Sequence, residues 1–147
     1  MKKHYTHFVL MALLLPSLMG CSKDFLKRYE KRIVDGTWEL YEVKTSGWGR
    51  SYDLAFYDGR FTFLSSGEVE YRDRYDRLFT GTWDMRRNNS PRNDDDGNVR
   101  DLMITVLNHQ SQEVLSEYFD EVRFTGTNRF KAWIYGYSRD YIFYFKR

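Results

Sequence analysis

Residues that could act as nucleophiles or as soft metal ligands are few in this chain of 147 residues. There is one cysteine, Cys21, and of the three histidines His4 and His7 precede it, so that only His109 follows it. A zinc site made of Cys and His needs about four such ligands, and a nucleophilic thiol needs a base beside it. Enzymes can also work with carboxylates alone, but no pair of acidic residues has a spacing that stands out. The sequence therefore predicts no metal site, no cofactor and no enzyme, and Cys21 must serve another purpose.

The chain begins with a segment that is typical of a secretory signal peptide. Lys2 and Lys3 come first, and the uncharged apolar stretch 8–19, interrupted by Pro16, follows. A membrane-spanning helix needs about 20 apolar residues, so this stretch is too short to cross a bilayer. A basic start, a short apolar core and a small residue before the cleavage site predict the removal of residues 1–20.

The four residues LMGC at 18–21 resemble the lipobox of bacterial lipoproteins. The resemblance implies that the Cys21 thiol receives diacylglycerol, that the signal is cut before it, and that the new amino group is acylated. Two or three acyl chains anchor a protein stably to a bilayer. Ser22 implies transfer to the bacterial outer membrane, with the domain facing the periplasm or the cell surface. The alternative is an ordinary signal peptide followed by a chance cysteine.

The charge of the mature chain argues against a nucleic-acid partner. Removal of residues 1–20 takes away two of the 23 basic residues and none of the 21 acidic ones, so the net charge falls to near zero. Proteins that bind nucleic acid need a positive surface to neutralise phosphates. The acidic run Asp94–Asp96 does not form a calcium loop either. If Gly97 takes the glycine position of such a loop, Arg92 and Met103 occupy its first and last ligand positions.

The elements that must position these residues are mostly strands. In the tether 21–35, Phe25, Tyr29 and Ile33 recur at every fourth residue and predict a short amphipathic helix. From Gly36 onward the apolar period is two, with turn signals between the segments. Short, regularly spaced strands without long helices predict an all-β fold, a single antiparallel up-and-down barrel. Its eight predicted strands span 36–45, 59–65, 68–74, 77–86, 100–108, 112–126, 129–138 and 139–147.

The first strand resembles the opening of lipocalins and of the calycin-type barrels related to them. Gly36-Thr37-Trp38, entered from a short helix, is similar to the Gly-x-Trp motif of that family. The resemblance covers residues 36–147 and implies a lipocalin-like barrel domain. It also implies that Arg147 or Lys146 on the last strand lies over Trp38.

Eight strands enclose an interior that either fills with side chains or holds one small ligand, and both alternatives remain open here. Besides the residues that would meet a ligand, the predicted inward positions include Leu40, Val69, Ile104, Ile134 and Phe145. The predicted ligand-binding residues of the interior and the mouth are Trp38, Trp48, Phe61, Phe63, Tyr71, Phe79, Trp83, Tyr118, Phe130, Tyr141 and Phe143.

Trp48 lies between Gly47 and Gly49 in the first loop, which in lipocalins crosses the open mouth of the barrel. An aromatic ring on a flexible loop suits contact with an apolar ligand at the rim. The alternative is that Trp48 folds inward and plugs the mouth. The function predicted from these features is non-enzymatic binding of a small apolar ligand by a lipid-anchored envelope protein.

The outer surface of the last strands suggests a second function. If alternate residues of these strands face inward, an apolar group faces out, with Val43 at its edge. Either the helix stripe of the tether covers this surface, or a partner protein of the envelope does. In the second case the chain is an interaction or structural module with a filled barrel. The predicted partner patch consists of Tyr41, Trp133, Tyr135, Ile142 and Tyr144.

Overall fold

The predicted strands form a closed eight-stranded antiparallel barrel in a computed structural model that describes residues 29–34, 36–87 and 99–147. Each strand pairs with the next one along the chain, and the last pairs with the first. The signal segment 1–20, Cys21, Phe25 and Asp94–Asp96 lie outside the described residues. The strands are β1 (Thr37–Gly47), β2 (Gly59–Phe63), β3 (Glu68–Arg72), β4 (Leu78–Arg87), β5 (Arg100–Leu107), β6 (Val114–Phe124), β7 (Arg129–Tyr135) and β8 (Arg139–Lys146).

One short helix, α1 (Tyr29–Ile33), closes the end of the barrel at which β1 begins. The indole nitrogen of Trp38 donates a hydrogen bond to the carbonyl oxygen of Ile33 at 2.6 Å. The ring of Tyr29 meets the ring of Phe124 edge to face, with 5.4 Å between centroids. Tyr29 and Ile33 therefore pack into the end of the barrel, and the interpretation that they cover the outer surface of β7 and β8 is wrong.

The last residue covers the tryptophan of β1. The guanidinium carbon of Arg147 lies 4.7 Å from the ring centroid of Trp38, and its Nη2 atom donates to the carbonyl oxygen of Thr127 at 2.7 Å. Lys146 pairs instead with Glu39, at 3.3 Å. Of the two residues that the resemblance to lipocalins offered for this contact, the chain uses Arg147.

Aromatic side chains fill the interior. The rings pack in edge-to-face and stacked pairs, such as Phe130 on Phe145 with 4.2 Å between centroids, and such pairs stabilise a core beyond the area that they bury. Trp83 and Ile134 pack against this core and remain partly exposed. The predicted inward residues that are buried are Trp38, Leu40, Phe61, Phe63, Val69, Tyr71, Phe79, Ile104, Phe130, Tyr141, Phe143 and Phe145.

The inward position predicted for Tyr118 is wrong. Its side chain is 45 % exposed, and its hydroxyl donates a hydrogen bond to Asp101 Oδ2 at 2.7 Å. Burial and the negative charge of Asp101 together raise the pKa of Tyr118 to about 12. The error comes from a β-bulge, because the register between β5 and β6 shifts between the pairs Arg100–Val122 and Leu102–Phe119. One extra residue in a strand reverses the face of every side chain beyond it.

A second bulge reverses one residue of the outer surface. The register between β1 and β8 shifts between Leu40 and Glu42. Val43, predicted to face out beside Tyr41, consequently packs against the core instead.

Candidate functional site

The loop between β1 and β2 covers the end of the barrel that lies opposite α1. We call this end the mouth and residues 48–58 the mouth loop. Leu54 and Phe56 are buried, and the ring of Phe56 sits edge to face on two rings of the interior. Its centroid lies 5.1 Å from that of Phe61 and 4.9 Å from that of Tyr71. Phe56 is therefore the side chain that plugs the mouth.

Trp48 does not plug the mouth. Its side chain is 92 % exposed, so the alternative that it folds inward is wrong. It lies on the rim of the barrel, where the rim-contact prediction placed it, and whether it meets a ligand stays a prediction. The sequence pointed to the wrong aromatic residue of the loop as the plug.

A buried carboxylate lies beneath the mouth loop. Glu117 of β6 is only 3 % exposed and faces into the barrel between Leu115 and Phe119, opposite Ile104 of β5. Its Oε2 atom accepts a hydrogen bond from the backbone N–H of Ala55 at 2.8 Å. Among the described residues, no lysine, arginine or histidine forms an ion pair with it.

The burial of Glu117 governs its protonation. Burial raises the pKa of this carboxyl, and the hydrogen bonds from the backbone N–H groups of Ala55 and Tyr118 oppose that rise only in part. The negative charge of Glu117 in turn raises the pKa of Tyr52 on the mouth loop, with burial as the second cause. Glu117 was not predicted as a site residue. The sequence indicates an inward position for Glu117 only through its spacing of two residues from Phe119, which puts both on one face of β6. The bulge that follows Phe119 hides which face of the strand this is.

The mouth loop is held at its ends by glycines and at a few points between them. Gly47 and Gly59 have φ values of 96° and 104°. A Cβ atom on either would come within 2.5 Å of a backbone oxygen, of Ser138 and Arg72 respectively. Such positions favour glycine.

Between these ends the loop has no regular secondary structure and few polar anchors. The backbone N–H of Tyr52 donates to the hydroxyl of Tyr141 at 2.6 Å, and Arg139 Nη2 donates to the carbonyl oxygen of Gly49 at 2.8 Å. The hydroxyl of Tyr71 on β3 also donates to the carbonyl oxygen of Asp58 at 3.1 Å. With the Ala55–Glu117 bond, these contacts tie the loop to β3, β6 and β8. A segment tied by so few bonds belongs to the less stable part of a fold.

The pairing between β6 and β7 ends before it reaches Glu117. The ladder between β6 and β7 runs only from the pair Glu121–Trp133 to the pair Phe124–Phe130. Nearer the mouth, the backbone N–H of Tyr135 bonds to the side chain of Asp120, at 2.8 Å. The part of β6 that carries Glu117 is therefore paired with β5 on one side only.

The structure separates the predicted ligand-binding residues into groups. Phe61, Tyr71 and Tyr141 contact the mouth loop. Phe79 lies one contact further, on Tyr71. Phe143 meets Phe119 edge to face, with 4.9 Å between centroids. Trp48 belongs to the mouth loop itself, and the remaining residues of that prediction lie away from the loop. Trp38 and Phe130 lie near α1, Phe63 and Trp83 lie by the β2–β3 turn, and Tyr118 faces out.

Tyr118 lines an outer cleft instead. This cleft has a volume of about 490 Å³ and is formed by Asp84, Arg86, Asp101, Met103 and Tyr118. It lies on the outside of β4, β5 and β6, so the predicted interior ligand cannot reach Tyr118 through the mouth.

The predicted partner patch lies on the outside of the barrel, as expected. Within the patch, Tyr41 is 42 % exposed. The other four residues of the patch are half-buried: Trp133, Tyr135, Ile142 and Tyr144. Lysine side chains lie over its rings: the ammonium nitrogens of Lys44 and Lys131 are about 5 Å from the centroid of Tyr144. Within the described residues, α1 leaves this face uncovered.

No protein-family model, curated protein or solved structure matches this chain. None of the described helices is long and apolar enough to span a bilayer. In the same part of the chain, His and acidic side chains do not gather in groups of three that could bind a metal ion. The site is therefore interpreted from its own geometry.

The buried carboxylate makes stability depend on pH. Because the pKa of Glu117 is raised in the folded state, folding favours its protonated form. Its contribution to stability is fully present below the pKa of an unfolded glutamate, about 4.3, and is lost as the pH rises through the raised value. We expect the parent to gain stability relative to Glu117→Gln when the pH is lowered from about 7 towards 4.3. Urea unfolding of both proteins measures the gain, and a constant difference over that range would contradict it.

Proposed function

We propose that this chain is a lipid-anchored, non-enzymatic protein of the bacterial cell envelope that binds a small, largely apolar molecule at the mouth of its barrel. Cys21 holds it to the outer membrane, and the domain faces the periplasm or the cell surface. The ligand enters when the mouth loop swings away, and it takes the space of Leu54 and Phe56. The rings of Phe61 and Tyr71 then contact the ligand.

The observation that carries this proposal is Glu117. A buried carboxylate without a cationic partner costs free energy, and a hydrophobic side chain at this position would avoid that cost. Buried groups with shifted pKa values concentrate at functional sites. Glu117 lies under the one irregular loop that closes the mouth, where a polar group fixes the orientation of a mainly apolar ligand.

The lipid anchor and the family resemblance rest on other features. The sequence at 18–21 has the pattern of a lipobox. The Trp38 indole, capped by a short helix and covered by Arg147, has the arrangement that the Gly-x-Trp resemblance implies. Both features support a lipocalin-like lipoprotein.

The proposal is tested by locating a bound probe. We expect 2-phenylethanol, added to the detergent-solubilised lipoprotein labelled with ¹⁵N, to shift the amide signals of Tyr52, Ala55 and Glu117 in a saturable way. Signals of Trp133 and Ile142 on the outer surface serve as the internal control. Shifts confined to that surface, or none that saturate, would refute binding at the mouth.

A second function is favoured by the uncovered partner patch. Since α1 closes the barrel end, an envelope protein could dock on Trp133 and its neighbours while the barrel stays filled. Native mass spectrometry of the lipoprotein extracted from its host separates the two candidates. A small co-purifying molecule that is lost in Glu117→Gln supports mouth binding. A protein partner that is lost in Trp133→Ser and kept in Glu117→Gln supports docking.

A further inference from the structure

The chemical class of the ligand can be assigned from the proposed ligand site, and the assignment rests on that site. From the position of Glu117 under the mouth loop, we infer that the ligand is a small hydrophobic amine. Its protonated nitrogen binds the Glu117 carboxylate in place of the Ala55 N–H, and its apolar body takes the slot that Phe56 now occupies.

Glu117 has no cationic partner among the described residues. Glu117 lies among Leu115, Phe119 and Ile104, and within the described part of the chain its hydrogen-bond donors are backbone N–H groups. A carboxylate in such surroundings is stabilised most by a cation with its own hydrogen bonds. Because none of the described basic side chains supplies that cation, the ligand is its natural source.

Opening of the mouth loop exchanges hydrogen bonds at Glu117 and Tyr141. When the loop opens, Glu117 loses the Ala55 N–H, and the hydroxyl of Tyr141 loses the Tyr52 N–H. An ammonium group has three donors and can bond to both oxygens. The Ala55 N–H is a neutral donor, whereas the ammonium also brings a full positive charge, so it competes well with a single backbone amide for the carboxylate.

The ring of Phe56 defines the shape of the apolar slot. Phe56 sits edge to face on both Phe61 and Tyr71, at centroid distances of 5.1 Å and 4.9 Å. Phe61 and Tyr71 also stack on each other, with 4.6 Å between their centroids. Removal of Phe56 with the loop therefore leaves a space of about one aromatic ring against this stacked pair. An aromatic or compact aliphatic body fits it, joined by a short linker to the nitrogen.

The negative charge of Glu117 disfavours ligands that are themselves negatively charged. A fatty acid or another carboxylate would place a second negative charge beside Glu117. Like charges that are removed from water repel strongly. The site therefore selects amines over alcohols of the same shape, and alcohols over acids.

Three molecules of one shape test this order: 2-phenylethylamine, 2-phenylethanol and phenylacetate. Their affinities are measured at pH 7 by calorimetry on the acylated protein in lipid nanodiscs, with empty nanodiscs as the blank. We expect the amine to bind about tenfold or more tightly than the alcohol, as one charge-assisted hydrogen bond implies. Phenylacetate is expected to bind more weakly than the alcohol.

Glu117→Gln is expected to remove the preference, so that the amine and the alcohol bind equally. Glu121→Gln is the matched control, because Glu121 is equally buried on the same strand but pairs with Arg123 and Tyr135 on the outside. It should keep the preference. If Glu117→Gln fails to fold, the ¹³C signal of the Glu117 carboxyl in the parent protein replaces it. This signal must shift with the amine and not with the alcohol.

The outcomes separate the two claims. Binding of the alcohol without any advantage for the amine overturns the amine inference and leaves the proposed mouth site intact. Saturable binding of none of the three molecules overturns both. A preference for the amine that survives Glu117→Gln, or an amine that leaves the carboxyl signal unchanged, places the cation elsewhere and also overturns the inference.

Discussion

Replacing Cys21 with serine is expected to release the protein from the membrane fraction and to stop its maturation. A thioether to diacylglycerol needs the sulfur atom, so Cys21→Ser carries no acyl chain at this position. Each buried methylene contributes about 0.8 kcal/mol to membrane binding, and two or three chains together make the anchor stable. Cell fractionation and the intact mass of the purified protein measure both effects. The parent should weigh more than its mature polypeptide by the mass of its lipid.

The matched control for the anchor is Ser22→Ala, which leaves the sulfur and the acidic balance unchanged. It should be processed and fractionate like the parent. If the parent itself has a free thiol and a mass without lipid, the lipoprotein proposal is wrong and the ordinary signal peptide is right. Membrane retention of Cys21→Ser at the level of the parent would show that another part of the chain holds the protein there.

The strands could be predicted because the information for them is local. Phe61 and Phe63 alternate with polar residues, and Gly59 and Gly67 mark the ends of the two segments around them. Backbone pairing then followed from short turns, which favour antiparallel neighbours. Closure of the barrel required only that the last strand reach the first, which eight short strands allow.

The two bulges limited what the pattern could reveal about faces. In β6, Glu117 and Tyr118 are adjacent, and the choice of which one faces inward depends on the register with β5. Val122 is buried, and its phase, extended back across the bulge, predicts an inward position for Tyr118. Beyond the bulge the faces are reversed, so Tyr118 faces out and the carboxylate of Glu117 is buried inside.

The mouth loop could not be predicted because its packing is decided by distant residues. Leu54 and Phe56 stand among polar and small residues, without a periodic pattern. Their burial depends on Tyr71 and Glu117, which are brought to the mouth only when the barrel closes. In the same way, the apolar stripe of α1 fits either the barrel end or an outer face, and only the geometry of Trp38 and Phe124 decides between them.

Phe56→Ala is expected to be the most destabilising single change in the mouth loop, and also to open the site. Truncation of a fully buried phenylalanine costs about 3–5 kcal/mol of unfolding free energy, because apolar contacts are lost and a cavity remains. Urea unfolding measures this cost. The cavity left beside the stacked rings of Phe61 and Tyr71 would be lined mainly by apolar groups, and engineered cavities of that kind bind small aromatic molecules such as benzene. We therefore expect toluene to raise the melting temperature of Phe56→Ala more than that of the parent.

Trp48→Ala is the matched control for Phe56→Ala, because it removes a larger ring from the same loop at a position that is almost fully exposed. Substitutions at such surface positions change stability by about 0.5 kcal/mol or less. Equal costs for Phe56→Ala and Trp48→Ala would mean that the loop does not plug the barrel. A large cost without stabilisation by toluene would mean that the walls collapse when the plug is removed. In that case the mouth would hold no ligand of this size, and the amine site would have no room for its apolar body.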